Sequence, residues 1–211
     1  MIVKSELFRN EEFNQAIQLG NTLNADIVET EIEELKEPHI IKNTPDSWYY
    51  SKCLLYAKLE DLRKTFGFNY VLDGMIMDDI SDFRPGLKAR SEYGVRSILQ
   101  EVELYKEEVR ELSKSNGLPV WNKPALCSLA SRIPYGEPLS FNKVNKVNEA
   151  EKFILSLDIN NVRVRYHDNI AHIEVDETDI VPIIQHRNQI SLRLKAVSYT
   201  HLRAHETRGN L

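Results

Sequence analysis

The chain has 211 residues, 42% of them hydrophobic and 28% charged, with a net charge of −5. That is the composition of a globular protein with a sizeable core, and it argues against a general nucleic-acid-binding surface. Its two cysteines, Cys53 and Cys127, lie far apart, so neither a disulfide framework nor a C-x-x-C metal pair is expected. No signal peptide and no membrane-length apolar run stand out, and a cytoplasmic protein without membrane contact is expected.

The first three residues read as the tail of a buried strand. Residues 9–20 have helical spacing, with Phe13, Ile17 and Leu19 near one face and Gly20 as a stop. Ala25–Thr30 reads as a short strand, followed by an acidic loop broken by Pro38 and Pro45. Residues 48–66 form a helix ended by Gly67, and Tyr70–Gly74 a strand entering a turn. Residues 105–116 form a second helix, with Val109 and Leu112 inward and Gly117 as its stop.

This alternation of strands and helices over residues 1–120 argues for an α/β fold with a parallel sheet. In such sheets ligands bind at the carboxyl ends of the strands, where Asp73-Gly74 sits. Pro119 to Pro138 is a connector with four prolines. Beyond it come a helix at about 140–157, strands at 161–167 and 170–175, and a helix over 177–190. Val162, Val164 and Tyr166 alternate with Arg163, Arg165 and His167, which places the arginines on the face opposite the apolar set.

The connector carries the strongest chemical candidate, Lys123-Pro-Ala-Leu-Cys127-Ser-Leu-Ala-Ser131-Arg132-Ile-Pro-Tyr-Gly136. A lone cysteine is ordinarily a small buried hydrophobe. Here prolines flank it, and Lys123 and Arg132 nearby would favour thiolate. Ser131-Arg132 offers a hydroxyl and a planar guanidinium to an anion. Cys53, inside the 48–66 helix, is expected to be packing.

Pro124-x-x-Cys127-x-Leu-Ala-Ser-Arg-Ile-Pro-Tyr-Gly136 resembles the signature of the ATP-dependent sacrificial sulfur transferases, the LarE-type family. Asp73-Gly74 through Asp78-Asp79 and Ser81-Asp-Phe-Arg-Pro-Gly-Leu-Lys-Ala89 resemble its second nucleotide-site motif. Gly94–Ser97, Val109–Ser113, Gly117–Pro119, Val162–Arg165 and Ala171–Val175 follow in matching order. The similarity spans nearly all of residues 1–195.

The resemblance implies an N-type ATP pyrophosphatase with a Rossmann-like sheet, of the adenine nucleotide alpha-hydrolase kind, and a smaller C-terminal α/β domain. It implies that ATP, with Mg²⁺, adenylates a carboxylate of a pyridinium dicarboxylate mononucleotide. Cys127 then gives up its sulfur, leaving dehydroalanine, on the way to the nickel-pincer nucleotide cofactor. A homo-oligomer is the family's expectation.

By position, Gly74, Asp78 and Asp79 fall at the nucleotide site. Asp78-Asp79 could also hold Mg²⁺, or be an ordinary acidic pair at a helix start. Trp48, Ser131, Arg132, Glu151, Arg163, Arg165 and Glu174 match positions around the substrate phosphate, although strand arginines are commonly solvated surface and a tryptophan is commonly core. Relatives with an iron–sulfur cluster carry cysteines where this chain has Trp48 and Ser51, so the single-cysteine, sacrificial type is implied. Met75-Ile76 departs from the family's Thr-Asn.

The ends also depart from the pattern. The family's Ser-Gly-Gly-x-Asp-Ser phosphate loop would precede Met1, and without it this chain is expected not to adenylate. Residues 197–211 lack periodicity and resemble a translated transposase adapter. They are expected to be an artefactual tail, and His201 and His205 carry no functional weight. The expected organisation is therefore residues 1–123, a partial pyrophosphatase domain, then 124–196, a substrate-phosphate and sulfur-transfer region, then the tail. Two other readings remain: another N-type pyrophosphatase, such as a tRNA thiolase or amidotransferase partner, or a non-catalytic fragment that binds nucleotide phosphate.

Overall fold

The structure, a computed structural model, describes residues 1–80, 85–124, 127–159, 161–197 and 199–206, with backbone alone for 202–206. The chain opens with β1 (Ile2–Ser5), α1 (Asn10–Thr22) and β2 (Glu29–Ile32). β1 and β2 pair in parallel, Ile2 opposite Glu29 and Ser5 opposite Ile32. Gly20 lies inside α1 rather than ending it. The helix closes two residues later, where Asn24 takes a left-handed φ of 51° and Ala25 N–H bonds Gly20 O at 3.0 Å. Asparagine can serve this closing position as glycine does. Residues 25–28 are consumed in leaving the helix, so the strand starts at Glu29 rather than at Ala25.

A 3₁₀ turn at Glu34–Lys36 leads to α2 (Pro38–Ile41) and then α3 (Ser47–Phe66). Gly67, at φ 71°, closes α3: its N–H bonds Lys64 O at 3.2 Å and the Phe68 N–H bonds Arg63 O at 2.9 Å. Arg63 and Lys64 in the last turn complement the helix dipole. Gly117, also at φ 71°, ends α6 (Lys106–Ser115) after the short α4 (Gly86–Glu92) and α5 (Ile98–Glu101).

Two expectations fail in this stretch. Tyr70–Gly74 is not a strand, because among the described residues it pairs on one side alone, through a parallel bridge between Leu72 and Arg96. Leu112 is 50% exposed, so α6 does not bury it. Among the described residues, the pairing within 1–120 is thus two paired strands and one isolated bridge.

The second half is better packed. α7 (Phe141–Leu155) is capped by Ser140, whose hydroxyl accepts the Lys143 N–H at 3.3 Å. Its buried stripe is Val144, Val147, Ala150, Glu151 and Ile154, at helical spacing. The stripe packs on an antiparallel hairpin, β3 (Val162–His167) and β4 (Ile170–Val175). Asp168 and Asn169 turn the hairpin with φ 49° and 62°, as a two-residue primed turn requires. Val162, Val164 and Tyr166 face inward opposite Val175, Ile173 and Ala171, as the alternation predicts.

The single helix expected over 177–190 divides instead into α8 (Ile180–Gln185) and α9 (Arg187–Ala196). β5 (His201–Glu206), where no element was expected, runs parallel to β4. The main core joins α7, the hairpin and α9 to Leu7, Ile40, Leu129 and Ile133. A smaller core gathers Tyr56, Val71, Ala89 and Val95, with Cys53 packed against it. Among the described residues no helix is long and apolar enough to cross a membrane.

Candidate functional site

Cys127 is exposed and lines a cleft of about 740 Å³. Its neighbours Ala125 and Leu126 lie outside the described residues. The cleft is walled by Ser5 at the end of β1, by Glu34 in the turn after β2, and by Trp48, Ser51, Lys52 and Tyr56 along α3. Ser128, Ser131 and Tyr135 close it from the connector, and Met75 and Leu87 from the far side. The connector therefore folds back onto the carboxyl ends of β1 and β2.

Backbone contacts hold Cys127's flank. The Leu129 N–H bonds Leu7 O at 2.8 Å, and the Ser128 hydroxyl donates to the same carbonyl at 3.3 Å. The Ser128 hydroxyl also accepts the Ala130 N–H at 3.2 Å, starting a 3₁₀ turn over Leu129–Arg132. Further on, the buried Asn43 side-chain amide reaches the carbonyls of Ile133, Pro134 and Glu137 at 3.2, 2.9 and 3.1 Å. That clamp presents Tyr135, whose hydroxyl accepts the Trp48 indole N–H at 2.8 Å.

The cations beside Cys127 in sequence are used elsewhere. Lys123 bonds Glu12 at 2.5 Å and Gln15 at 2.7 Å. Arg132 is 4% exposed and pairs with Glu151, Nε to Oε1 at 2.8 Å. Glu151 is fully buried, and the same oxygen accepts the Val164 N–H at 3.0 Å. The thiolate-favouring arrangement read from sequence neighbours is thus not the one the fold builds. Among the described residues, the charged side chains lining the cleft are Lys52 and Glu34.

Ser131 joins the cleft to a polar network. Its hydroxyl donates to Ser128 O and accepts from Arg132 Nη1, both at 2.8 Å, and its carbonyl accepts from Arg165 Nη1 at 3.3 Å. Arg165 also pairs with Glu174 across the hairpin at 2.5 Å. Ser131, Arg132, Glu151, Arg165 and Glu174 therefore form one connected group. Arg163, half-buried on the same hairpin face, carries no ion pair or side-chain hydrogen bond among the described residues.

The 73–80 loop is built around Asp73. Its carboxylate accepts the Tyr56 hydroxyl at 3.0 Å, the Ser97 hydroxyl at 2.5 Å and the Met75 N–H at 3.2 Å. Burial, and then the Asp73 charge, push the Tyr56 phenol pKa up and keep it protonated. Asp78 accepts the Lys106 N–H at 2.8 Å and Asp79 the Ile76 N–H at 2.9 Å. Both carboxylates thus shape local backbone, and neither they nor Gly74 line the Cys127 cleft. No group of three or more His, Cys, Asp or Glu side chains suited to a metal occurs among the described residues. Ser81–Arg84 of the same motif lie outside the described residues.

Reading the sequence missed Glu34, Ser5, Ser51 as a cleft hydroxyl, and Asn43. Glu34 sits in the acidic run Glu29–Glu37, which reads as solvated, yet it is 1% exposed. Ser5 and Ser51 each donate a hydroxyl hydrogen bond to its carboxylate, one to each oxygen. Burial foremost, and the Glu6 charge, raise its pKa above the ordinary carboxylate value, while the two hydroxyls and Lys52 oppose the rise.

No family model matches the chain. It is 43% identical over 202 residues to the pyridinium-3,5-bisthiocarboxylic acid mononucleotide synthase of Lactiplantibacillus plantarum, spanning 96% of this chain and 73% of that protein. It is 41% identical over 152 residues to an uncharacterised Synechocystis protein, covering 72% of this chain and 57% of that one. A Methanocaldococcus jannaschii protein, also uncharacterised, is 26% identical over 195 residues, covering 92% of this chain and 74% of its own length.

Proposed function

The chain belongs to the family of the pyridinium-3,5-bisthiocarboxylic acid mononucleotide synthase, and from that premise we propose that it transfers sulfur from Cys127 to a carboxylate of a pyridinium dicarboxylate mononucleotide, on the route to a nickel-pincer nucleotide cofactor. The observation that carries this reading is the placement of an exposed Cys127 in a cleft with Trp48, Ser51, Ser131 and Tyr135. A nucleophilic thiol beside aromatic walls and hydroxyls suits an aromatic acyl group held for attack.

In this reading ATP activates the substrate carboxylate as an acyl-adenylate, because oxide is a poor leaving group and AMP a good one. The Cys127 thiolate attacks the acyl carbon and AMP departs with its bonding pair. Cleavage of the Cys127 Cβ–S bond then leaves the thiocarboxylate on the substrate and dehydroalanine on the chain. Trp48 and Tyr135, fixed by their mutual hydrogen bond, flank the ring. Ser131, Arg163, Arg165 and Glu174 serve the substrate phosphate, with Arg132 and Glu151 as the buried brace beneath Ser131.

Gly74, Asp78 and Asp79 are assigned to the nucleotide. Mg²⁺ would neutralise phosphate charge there, sharing carboxylates that already bond backbone N–H groups, since Mg²⁺ brought by phosphates needs only one or two of them. A cytoplasmic homo-oligomer completes the reading.

The test is mass spectrometry of the protein after incubation with the pyridinium dicarboxylate mononucleotide supplied as its preformed acyl-adenylate, so that the outcome does not depend on adenylation by this chain. Dehydroalanine at position 127 with matching thiocarboxylate is expected, and neither should form in Cys127→Ser. Thiocarboxylate formation with Cys127 intact would exclude it as the donor.

A further inference from the structure

Glu34 is a carboxylate in an expensive place. It is 1% exposed and has no ion pair among the described residues, where a glutamine would avoid the cost of burying charge. Such sites are enriched in function. Glu34 is also the one carboxylate among the described residues lining the cleft that holds Cys127.

Its surroundings hold it toward that cleft. Ser51, half-buried on α3, lines the cleft and donates to one oxygen, and Ser5 donates to the other. Ser5 Oγ accepts the Leu7 N–H at 3.1 Å, and Leu7 O in turn receives Leu129 N–H and Ser128 Oγ. The frame around Glu34 is therefore tied to the residue that follows Cys127. The charged groups facing it are Glu6, which accepts the Glu34 N–H at 2.9 Å, and Lys52.

We propose that Glu34, working through the cleft-facing hydroxyl of Ser51, accepts the proton lost when Cys127 gives up its sulfur. The assignment rests on the sulfur-donor reading of Cys127. The Cα proton of the acylated Cys127 passes to Ser51 Oγ as the Ser51 proton passes to Glu34. The C–H electron pair becomes the Cα=Cβ bond. The Cβ–S pair leaves with sulfur as the thiocarboxylate, and Glu34 ends protonated. A carboxylate whose pKa burial has raised is a better base than a solvated one.

The experiment acylates Cys127 with the imidazolide of pyridine-3-carboxylic acid, which removes the need for ATP, and follows residue 127 by peptide mass. The unaltered chain should convert the thioester to dehydroalanine, with a rate that rises with pH and a midpoint above the ordinary carboxylate range. Glu34→Gln should hold the thioester or release the thiol, with dehydroalanine slowed about 100-fold or more and the acidic limb of the pH profile gone. Glu34→Asp should recover part of the rate. Should Glu34→Gln fail to fold, Ser51→Ala carries the test, because it removes only a half-buried hydroxyl. Dehydroalanine at an unchanged rate in Glu34→Gln, or in Ser51→Ala, overturns the assignment and leaves the donor reading intact. Absence of dehydroalanine in the unaltered, acylated chain overturns both.

Discussion

The Arg132 guanidinium grips the Glu151 carboxylate at 2.8 Å with almost no water near either, the side chains being 4% and 0% exposed. The sequence pattern sets these residues among substrate-phosphate contacts, whereas their geometry is that of an internal brace. Removing one member strands the other charge, and Glu151→Ala also strands the Val164 N–H. Glu151→Ala should therefore destabilise by about 3–5 kcal/mol, read as a lower urea midpoint. Unchanged stability with weakened mononucleotide binding would instead make Glu151 a direct contact.

Arg163 and Arg165 should behave differently. Arg165 is committed to Glu174 and Ser131 O, while Arg163 has no such partner among the described residues. Arg163→Ala should leave stability within about 0.5 kcal/mol. It should weaken binding of a mononucleotide phosphate by about 1.5–3 kcal/mol, the contribution of a hydrogen bond to a charged group. Titration calorimetry against the mononucleotide and its dephosphorylated nucleoside checks this, because the loss should appear for the phosphate form alone.

Glu34 should make the fold sensitive to pH in the direction opposite to a salt-bridged carboxylate. Its folded pKa is raised above the ordinary carboxylate value of 4.5, so just above that pH the folded chain holds a proton that the unfolded chain has released. Stability from this group is full below 4.5 and is lost as pH rises through the raised value. Glu34→Gln should match the unaltered chain in acid and gain on it toward neutral pH. Urea midpoints across that range would show the two lines diverging. Parallel lines would mean that Glu34 titrates normally.

Gly67→Ala should cost about 1 kcal/mol, the penalty for a side chain at a left-handed residue. A Cβ there would meet no atom within 4 Å, so strain at φ 71° is the whole effect. A fall in Tm of about 2–4 °C is expected.

Helices and the hairpin were legible because their signals are local. The 48–66 helix ends where Gly67 says it should, and the Val162–Tyr166 alternation gives the buried face of β3. The division into α8 and α9 and the true exposure of Leu112 were not legible, since tertiary packing decides both. Cys127, Trp48 and Ser131 line one cleft, a meeting of distant segments that no local pattern shows. Glu34 was hidden among the acids of residues 29–37, because nothing local distinguishes a buried glutamate from the four other glutamates around it. Lys123 misled for the converse reason: four positions from Cys127 in sequence, it is bound to Glu12 in space.

The bonds from Leu7 to Leu129, and from Asn43 to residues 133–137, close loops of some 90 to 120 residues. Contacts of such separation form late, because their loop-closure entropy comes before any local reward. During synthesis the thiol is therefore present before its cleft exists. A chain that emerges from its N-terminus lays down Ser5, Glu34 and α3 before Cys127, so the walls wait for the thiol, and the cleft closes only once the two distant halves have met.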